Sequence, residues 1–173
     1  MRKLKLQMNI LLGDKWDDEM TNLSIGNLKK VDAILLGRKT AEDFIPYWEK
    51  VAGNPQDDFY ELGRPLHDIP KVVFSRELKT SKWDNATIVK GDITEQIKVL
   101  KKKKGKDIIV YGGDSFVSSL IQHGLIDEFY LLVNPVAMGG GKPIFNPLKN
   151  NVQLRLKKCK PFPCGAVLLC YTR

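Results

Sequence analysis

Three short segments of this chain end in residues able to hold an anion. In the first, Asp107-Ile108-Ile109-Val110-Tyr111-Gly112-Gly113-Asp114-Ser115-Phe116, a β-branched apolar run meets two glycines and then residues suited to start a helix. A helix opening there points the amides near Gly113, Asp114 and Ser115, and the positive end of its macrodipole, at whatever lies in front. Phosphate is the natural occupant, although paired glycines also let a helix pack closely on a strand with no ligand at all. In the second segment, Gly37-Arg38-Lys39-Thr40 follows the apolar run from Val31. Thr40 is the expected N-cap, with Asp43 three residues on. Two cations just ahead of a helix start are mildly unfavourable unless an anion offsets them or both side chains reach water. The third segment, Lys71-Val72-Val73-Phe74-Ser75-Arg76, ends in a hydroxyl and a guanidinium. Ligands of open α/β sheets gather at the carboxyl ends of strands, so three such endings on neighbouring strands would line one crevice.

The elements that must position these groups alternate. Strands are expected near residues 3–9, 32–36, 70–74, 86–89, 107–111 and 127–134, and helices near 17–29, 39–47, 58–65, 93–103 and 114–123. Two further strands, near 152–159 and 165–172, flank Pro161-Phe162-Pro163 and should pair as an antiparallel hairpin. This order predicts a single α/β domain over residues 1–173, with a mostly parallel twisted central sheet and helices on both faces. Gly124 is placed to stop the helix that starts at Asp114. The segment from Lys50 to Asp58 reads as a polar surface loop.

Composition narrows the function classes. Apolar residues make up 43% of the 173, enough for a substantial core, and no apolar run approaches the roughly 18 residues of a membrane span. The N-terminus alternates charged and apolar residues and has no secretory apolar core, so the expected location is cytoplasmic. Three cysteines, Cys159, Cys164 and Cys170, and two distant histidines, His67 and His123, lack ligand spacing, and no metal is expected. The thiols are expected to be buried in the last strands. Net charge is +8, from 28 Lys and Arg against 20 Asp and Glu. The Lys101 to Lys104 run closes a helix that opens with the capping-box pattern Asp92-Ile93-Thr94-Glu95, so it is expected to be a solvated helix end. No aromatic interleaving accompanies it, which argues against a nucleic-acid surface. The positive field would attract a phosphorylated ligand.

Taken together, Leu36 to Thr40, Val72 to Arg76, Ile109 to Gly113, Leu125-Ile126-Asp127-Glu128 and Pro135 to Phe145 resemble the dihydrofolate reductase-like family. The closer similarity is to the branch containing the reductase domain of bifunctional riboflavin biosynthesis proteins, the RibD C-terminal domain, and it runs from about Val31 to Tyr171. The resemblance implies NADPH as cofactor and a small heterocycle, pterin-like or ribosylaminopyrimidine-like, as substrate. It places Gly37, Arg38, Lys39 and Thr40 at the cofactor's phosphates and Ser75 and Arg76 at its adenosine 2′-phosphate side. Gly112, Gly113, Asp114, Ser115 and Phe116, with Tyr111 beside them, would cradle the pyrophosphate. It further implies a cis peptide between the two glycines and a homodimer. Relatives that reduce folate carry a carboxylate near the first helix, which makes Asp14, Asp17 and Asp18 candidate proton donors, although helix capping alone is the stronger reason for aspartates there.

One departure stands out. Relatives have a longer Ser-Leu-Asp-Gly-like loop after the first strand, whereas Asn9 to Trp16 passes quickly towards the first helix. A loop that excludes water completes a hydride-transfer site, so its shortening opens the alternative of a nucleotide-binding protein without turnover. A weaker alternative is an RNA-binding module. A ligand role for Gly139 and Gly140 is a further weak expectation. Trp16, Trp48 and Trp83 are candidates to cover a ligand or partner surface.

Overall fold

Six apolar runs of this chain become parallel strands of one sheet. The structure, a computed structural model, describes residues 1–8, 16–137, 139–141, 143–145, 148 and 150–173. In chain order its elements are β1 (Leu4–Met8), α1 (Asp18–Leu28), β2 (Val31–Gly37), α2 (Arg38–Ala52), α3 (Tyr60–Asp68), β3 (Lys71–Phe74), β4 (Ala86–Val89), α4 (Ile93–Lys102), β5 (Asp107–Tyr111), α5 (Asp114–Gln122), β6 (Glu128–Val133), β7 (Arg155–Pro161) and β8 (Val167–Thr172). The strand order is β4-β3-β2-β5-β1-β6-β8-β7. The six strands from β4 to β6 in that order are parallel, and β8 runs antiparallel to both β6 and β7.

Strict alternation of side chains builds a core on each face. Leu4, Leu6, Ala33, Leu35, Ile108 and Val110 pack with Ile97 of α4 and Val117 and Leu120 of α5. Ile34, Leu36, Val73 and Ile109 point the other way, onto Ala41 and Ile45 of α2 and Leu62 and Leu66 of α3. Strands buried on both faces have no polar edge to alternate with, which is why they read as continuous apolar runs.

Chain direction then fixes where a ligand can sit. From β2 the chain moves outward to β3 through α2 and α3 on one face, while from the adjacent β5 it returns through α5 on the opposite face to β6. Right-handed crossovers in opposite directions require opposite faces. The carboxyl ends of β2 and β5 are therefore a topological switch point, the place where open α/β sheets leave a crevice.

Several expectations need correction. Thr40 is not an N-cap: α2 begins at Arg38, with Gly37 in the capping position and no side-chain cap. The helix also runs through Pro46 to Ala52 instead of stopping near 47, because its buried residues Ala41, Ile45 and Val51 hold it against the sheet. Asp92 does cap α4, accepting from the Glu95 amide, but Lys101 is no solvated helix end. It is buried, donates to the Leu125 carbonyl at 2.8 Å and pairs with Asp127 at 2.6 Å. The last turn of α4 packs beside the start of β6, and the lysine ties the two together. Strand β7 starts at Arg155, later than the expected 152, and includes Pro161. Of the thiols, Cys170 is buried and Cys164 half-buried, whereas Cys159 is exposed on edge strand β7. Asn9, Asp14 and the loop around them lie outside the described residues. Among the described residues no helix is long and apolar enough to cross a membrane.

Lys71, at the start of β3, is 2% exposed and donates to the His67 carbonyl. Burial lowers its pKa from 10.5 to about 8, against smaller upward pulls from Asp68 and Glu49. Between those pH values the unfolded chain holds more protons than the folded one, so this group makes stability rise with pH. Urea denaturation at pH 7 and pH 9.5 should show the wild type gaining stability relative to Lys71→Met as pH rises. Parallel behaviour of the two proteins would contradict the assignment.

Candidate functional site

Two helices start at the switch point, and neither carries a side-chain cap. Gly37 precedes α2 and Gly113 precedes α5. First-turn amides have no acceptor within their own helix, so both helix ends can serve an anion. The two starts are tightly apposed: a Cβ built on Gly37 would lie 3.0 Å from Phe116 Cβ.

Gly112 and Gly113 make the turn between β5 and α5 with φ of +65° and +60°, a left-handed conformation that side chains resist. The expected cis peptide is absent, because two consecutive left-handed glycines already reverse the chain sharply. Thr40, displaced from the capping position, packs against this turn. A Cβ on Gly112 would come within 2.6 Å of Thr40 Cγ2, and one on Gly113 within 2.8 Å of Thr40 Oγ1.

On one side of that contact lies a polar cleft of about 650 Å³. It is lined by the ends of all three anion-suited segments: Gly37 to Thr40, Phe74 to Arg76, and Gly113 to Phe116. Lys90, Gly91 and Asp92, at the end of β4, add to its wall together with Ser119 and His123, and Lys90 was missed in the sequence because a lone lysine before glycine carries no motif. Arg38 is committed elsewhere. It bonds Glu42 at 3.1 Å, one turn along α2, and Glu77 at 3.3 Å. Ser75 is buried, and its Oγ accepts from the Glu77 and Leu78 amides at 3.2 and 3.0 Å, so only its hydroxyl hydrogen remains for a ligand. Lys39, Arg76 and Lys90 are exposed in the cleft wall.

On the other side lies a pocket of about 850 Å³ with mostly apolar walls. Tyr111 and Gly112 face this pocket, so Tyr111 lies apart from the cleft that takes Gly113 to Phe116. Phe44 stacks on Tyr111 with ring centroids 5.5 Å apart and meets Trp48 edge-on at 6.1 Å. Burial pushes the Tyr111 phenol upward, so it stays protonated. Trp16 and Phe59 complete the aromatic wall, and Gln7 and Ser24 supply polar groups. Trp83 instead packs against the core. Trp48 was a sequence candidate, and Phe44 and Tyr47, which were missed, did leave a trace, since they share one face of a helix with it. Lys39 and Thr40 line both cavities.

Of the candidate proton donors, Asp14 lies outside the described residues, and Asp17 and Asp18 line neither cavity. Asp17 caps α1, its Oδ1 accepting from the Met20 amide at 2.8 Å, and Asp18 is exposed in the first turn. The carboxylates that line the apolar pocket come from α2: Glu42, paired with Arg38, and Asp43. Cβ atoms built on Gly139 and Gly140 would meet open space.

An eight-stranded, mostly parallel sheet with a C-terminal antiparallel hairpin and this switch-point crevice defines a dihydrofolate reductase-like α/β protein. A match to the RibD C-terminal domain spans residues 16–168, and the chain belongs to that family. The uncharacterized protein YyaP of Bacillus subtilis is 37% identical over 145 residues, covering 83% of this chain and 75% of that protein. Among solved structures, a putative riboflavin biosynthesis protein from Shewanella sp. PV-4 superposes with a TM-score of 0.70 at 18% identity, covering 100% of this chain and 99% of that one. The riboflavin biosynthesis reductase Rib7 of Saccharomyces cerevisiae gives 0.59 at 14%, covering 99% and 89%. At such identities the two structures share the fold.

The glycine turn against Thr40 makes a steric prediction. Gly112→Ala should destabilise the protein by about 1–3 kcal/mol through the left-handed backbone and the clash. Adding Thr40→Ala should recover part of that loss, read by chemical denaturation of the four proteins of the cycle. Strict additivity would show that the two residues do not touch.

Proposed function

We propose that this protein is an NADPH-dependent reductase of a planar heterocycle, pterin-like or ribosylaminopyrimidine-like. One observation carries the reading: a polar, cation-lined cleft and an aromatic pocket meet at Thr40 and the Gly112–Gly113 turn, at the switch point of a RibD C-terminal-type fold. A dinucleotide has the matching layout, with its pyrophosphate in the middle, the 2′-phosphorylated adenosine on one side and the flat nicotinamide ring on the other.

The residues present suit such a cofactor. Glycine at 112 and 113 leaves the turn bare of side chains, and the first-turn amides of α5 beside it offer hydrogen bonds to a pyrophosphate. Arg76 and Lys90 at the cleft wall suit a ribose 2′-phosphate better than Arg38, whose guanidinium is already neutralised by Glu42 and Glu77. The aromatic wall of Phe44, Trp48 and Tyr111 stacks flat rings and displaces water from them. A nicotinamide cofactor supplies the hydride itself. Asp43, exposed at the pocket and without the pairing that holds Glu42, is placed to relay a proton from solvent.

Calorimetric titration tests the reading. NADPH should bind more tightly than NADH, and Arg76→Ala should reduce that preference by about tenfold or more, the worth of a charge-assisted contact. Steady NADPH oxidation with dihydrofolate or ribosylaminopyrimidine substrates should follow. Equal affinity for the two dinucleotides would contradict the role of Arg76, and binding without turnover would contradict the reductase assignment.

A further inference from the structure

Gln7 lies where an apolar residue would be expected. It occupies β1, between Tyr111 of β5 and Tyr130 of β6 in register, and its side chain points away from the core formed by Leu4 and Leu6. The residue is only 5% exposed. Its amide nitrogen makes one long contact, 3.5 Å to Ser24 Oγ, and its carbonyl oxygen has no partner among the described residues. Turning the amide over would exchange the two atoms and still leave one end without a partner. A buried polar atom left unpaired costs free energy that leucine or valine at this position would avoid.

Both Gln7 and Ser24 line the 850 Å³ aromatic pocket, so the unpartnered end of the amide lies buried in its wall, and a side-chain rotation would turn it to whatever enters. A primary amide presents an acceptor and a donor side by side. Its complement is a ring edge with N–H next to C=O, the lactam edge of a pyrimidinedione or pterinone. The Phe44–Tyr111 stack provides the flat surface such a ring requires.

We propose that Gln7 is a specificity-determining residue, reading a lactam edge of the heterocycle by a paired hydrogen bond while the aromatic wall holds the ring. The inference rests on the proposed reductase reading for the identity of the pocket, and it adds the edge of the substrate that is recognised. Nothing in it requires the cofactor to be bound.

The test uses 6-aminouracil and 6-amino-1,3-dimethyluracil, which share ring and carbonyls but differ in the two ring N–H groups. Titrated calorimetrically, the wild type should prefer 6-aminouracil by about tenfold. Gln7→Met should erase that preference. Gln7→Glu, which offers acceptors only, should shift the preference towards 2,4,6-triaminopyrimidine, an effect that a merely structural glutamine would not produce. Equal binding of the two uracils by the wild type would overturn the proposal without reference to any variant, and so would a Gln7→Met protein that keeps the discrimination. NADPH titrated into the same preparations separates the two claims. NADPH binding with no lactam discrimination overturns the role of Gln7 alone, while discrimination without NADPH binding sustains it and overturns the cofactor assignment.

Discussion

The contact between Thr40 and the Gly112–Gly113 turn is where the two halves of this sheet meet. Gly112 and Gly113 take up left-handed dihedrals that only glycine adopts without strain, and the Thr40 side chain occupies the space where their Cβ atoms would be. That close approach brings the starts of α2 and α5 together over the ends of β2 and β5. It also divides the crevice into a polar cleft and an aromatic pocket. With larger residues at 112 and 113 the helices would be forced apart, and the anion-suited strand ends would no longer face a common space.

Electrostatics distributes work among the cations of the cleft in a way that their sequence order does not show. Arg38 stands at a helix start, where its charge opposes the macrodipole, and the structure answers with Glu42 one turn away and Glu77 from beyond β3. The guanidinium is thereby spent on holding α2 to the segment after β3. The cations that remain exposed in the cleft wall are Lys39, Arg76 and Lys90. Lys101 shows the same reassignment outside the site, as a buried tie between α4 and β6.

Much of the architecture was legible because local and global preferences agree. Runs such as Ile108-Ile109-Val110 and Ala33-Ile34-Leu35-Leu36 are buried on both faces, and the glycines that end them mark the turns, so strand positions and sheet class followed from pattern alone. What stayed hidden depends on distant partners. Glu77 is 39 residues from Arg38, and Tyr111 meets Phe44 only because β5 lies next to β2. Thr40 looked like an N-cap because a hydroxyl followed by an acid at the third position usually is one, yet the glycine before Arg38 took that place and released the threonine for packing. The helix expected to stop near residue 47 continues to Ala52, carried on by the burial of Ile45 and Val51.

The central claim is that one elongated ligand spans both cavities across the Thr40–glycine contact. Amide and indole NMR spectra recorded during an NADPH titration address it directly. The account predicts that the backbone signals of Lys39, Gly113, Ser115 and Phe116 and the indole signals of Trp16 and Trp48 shift together, with a single dissociation constant. Shifts confined to one cavity, or to residues lining neither, would contradict it.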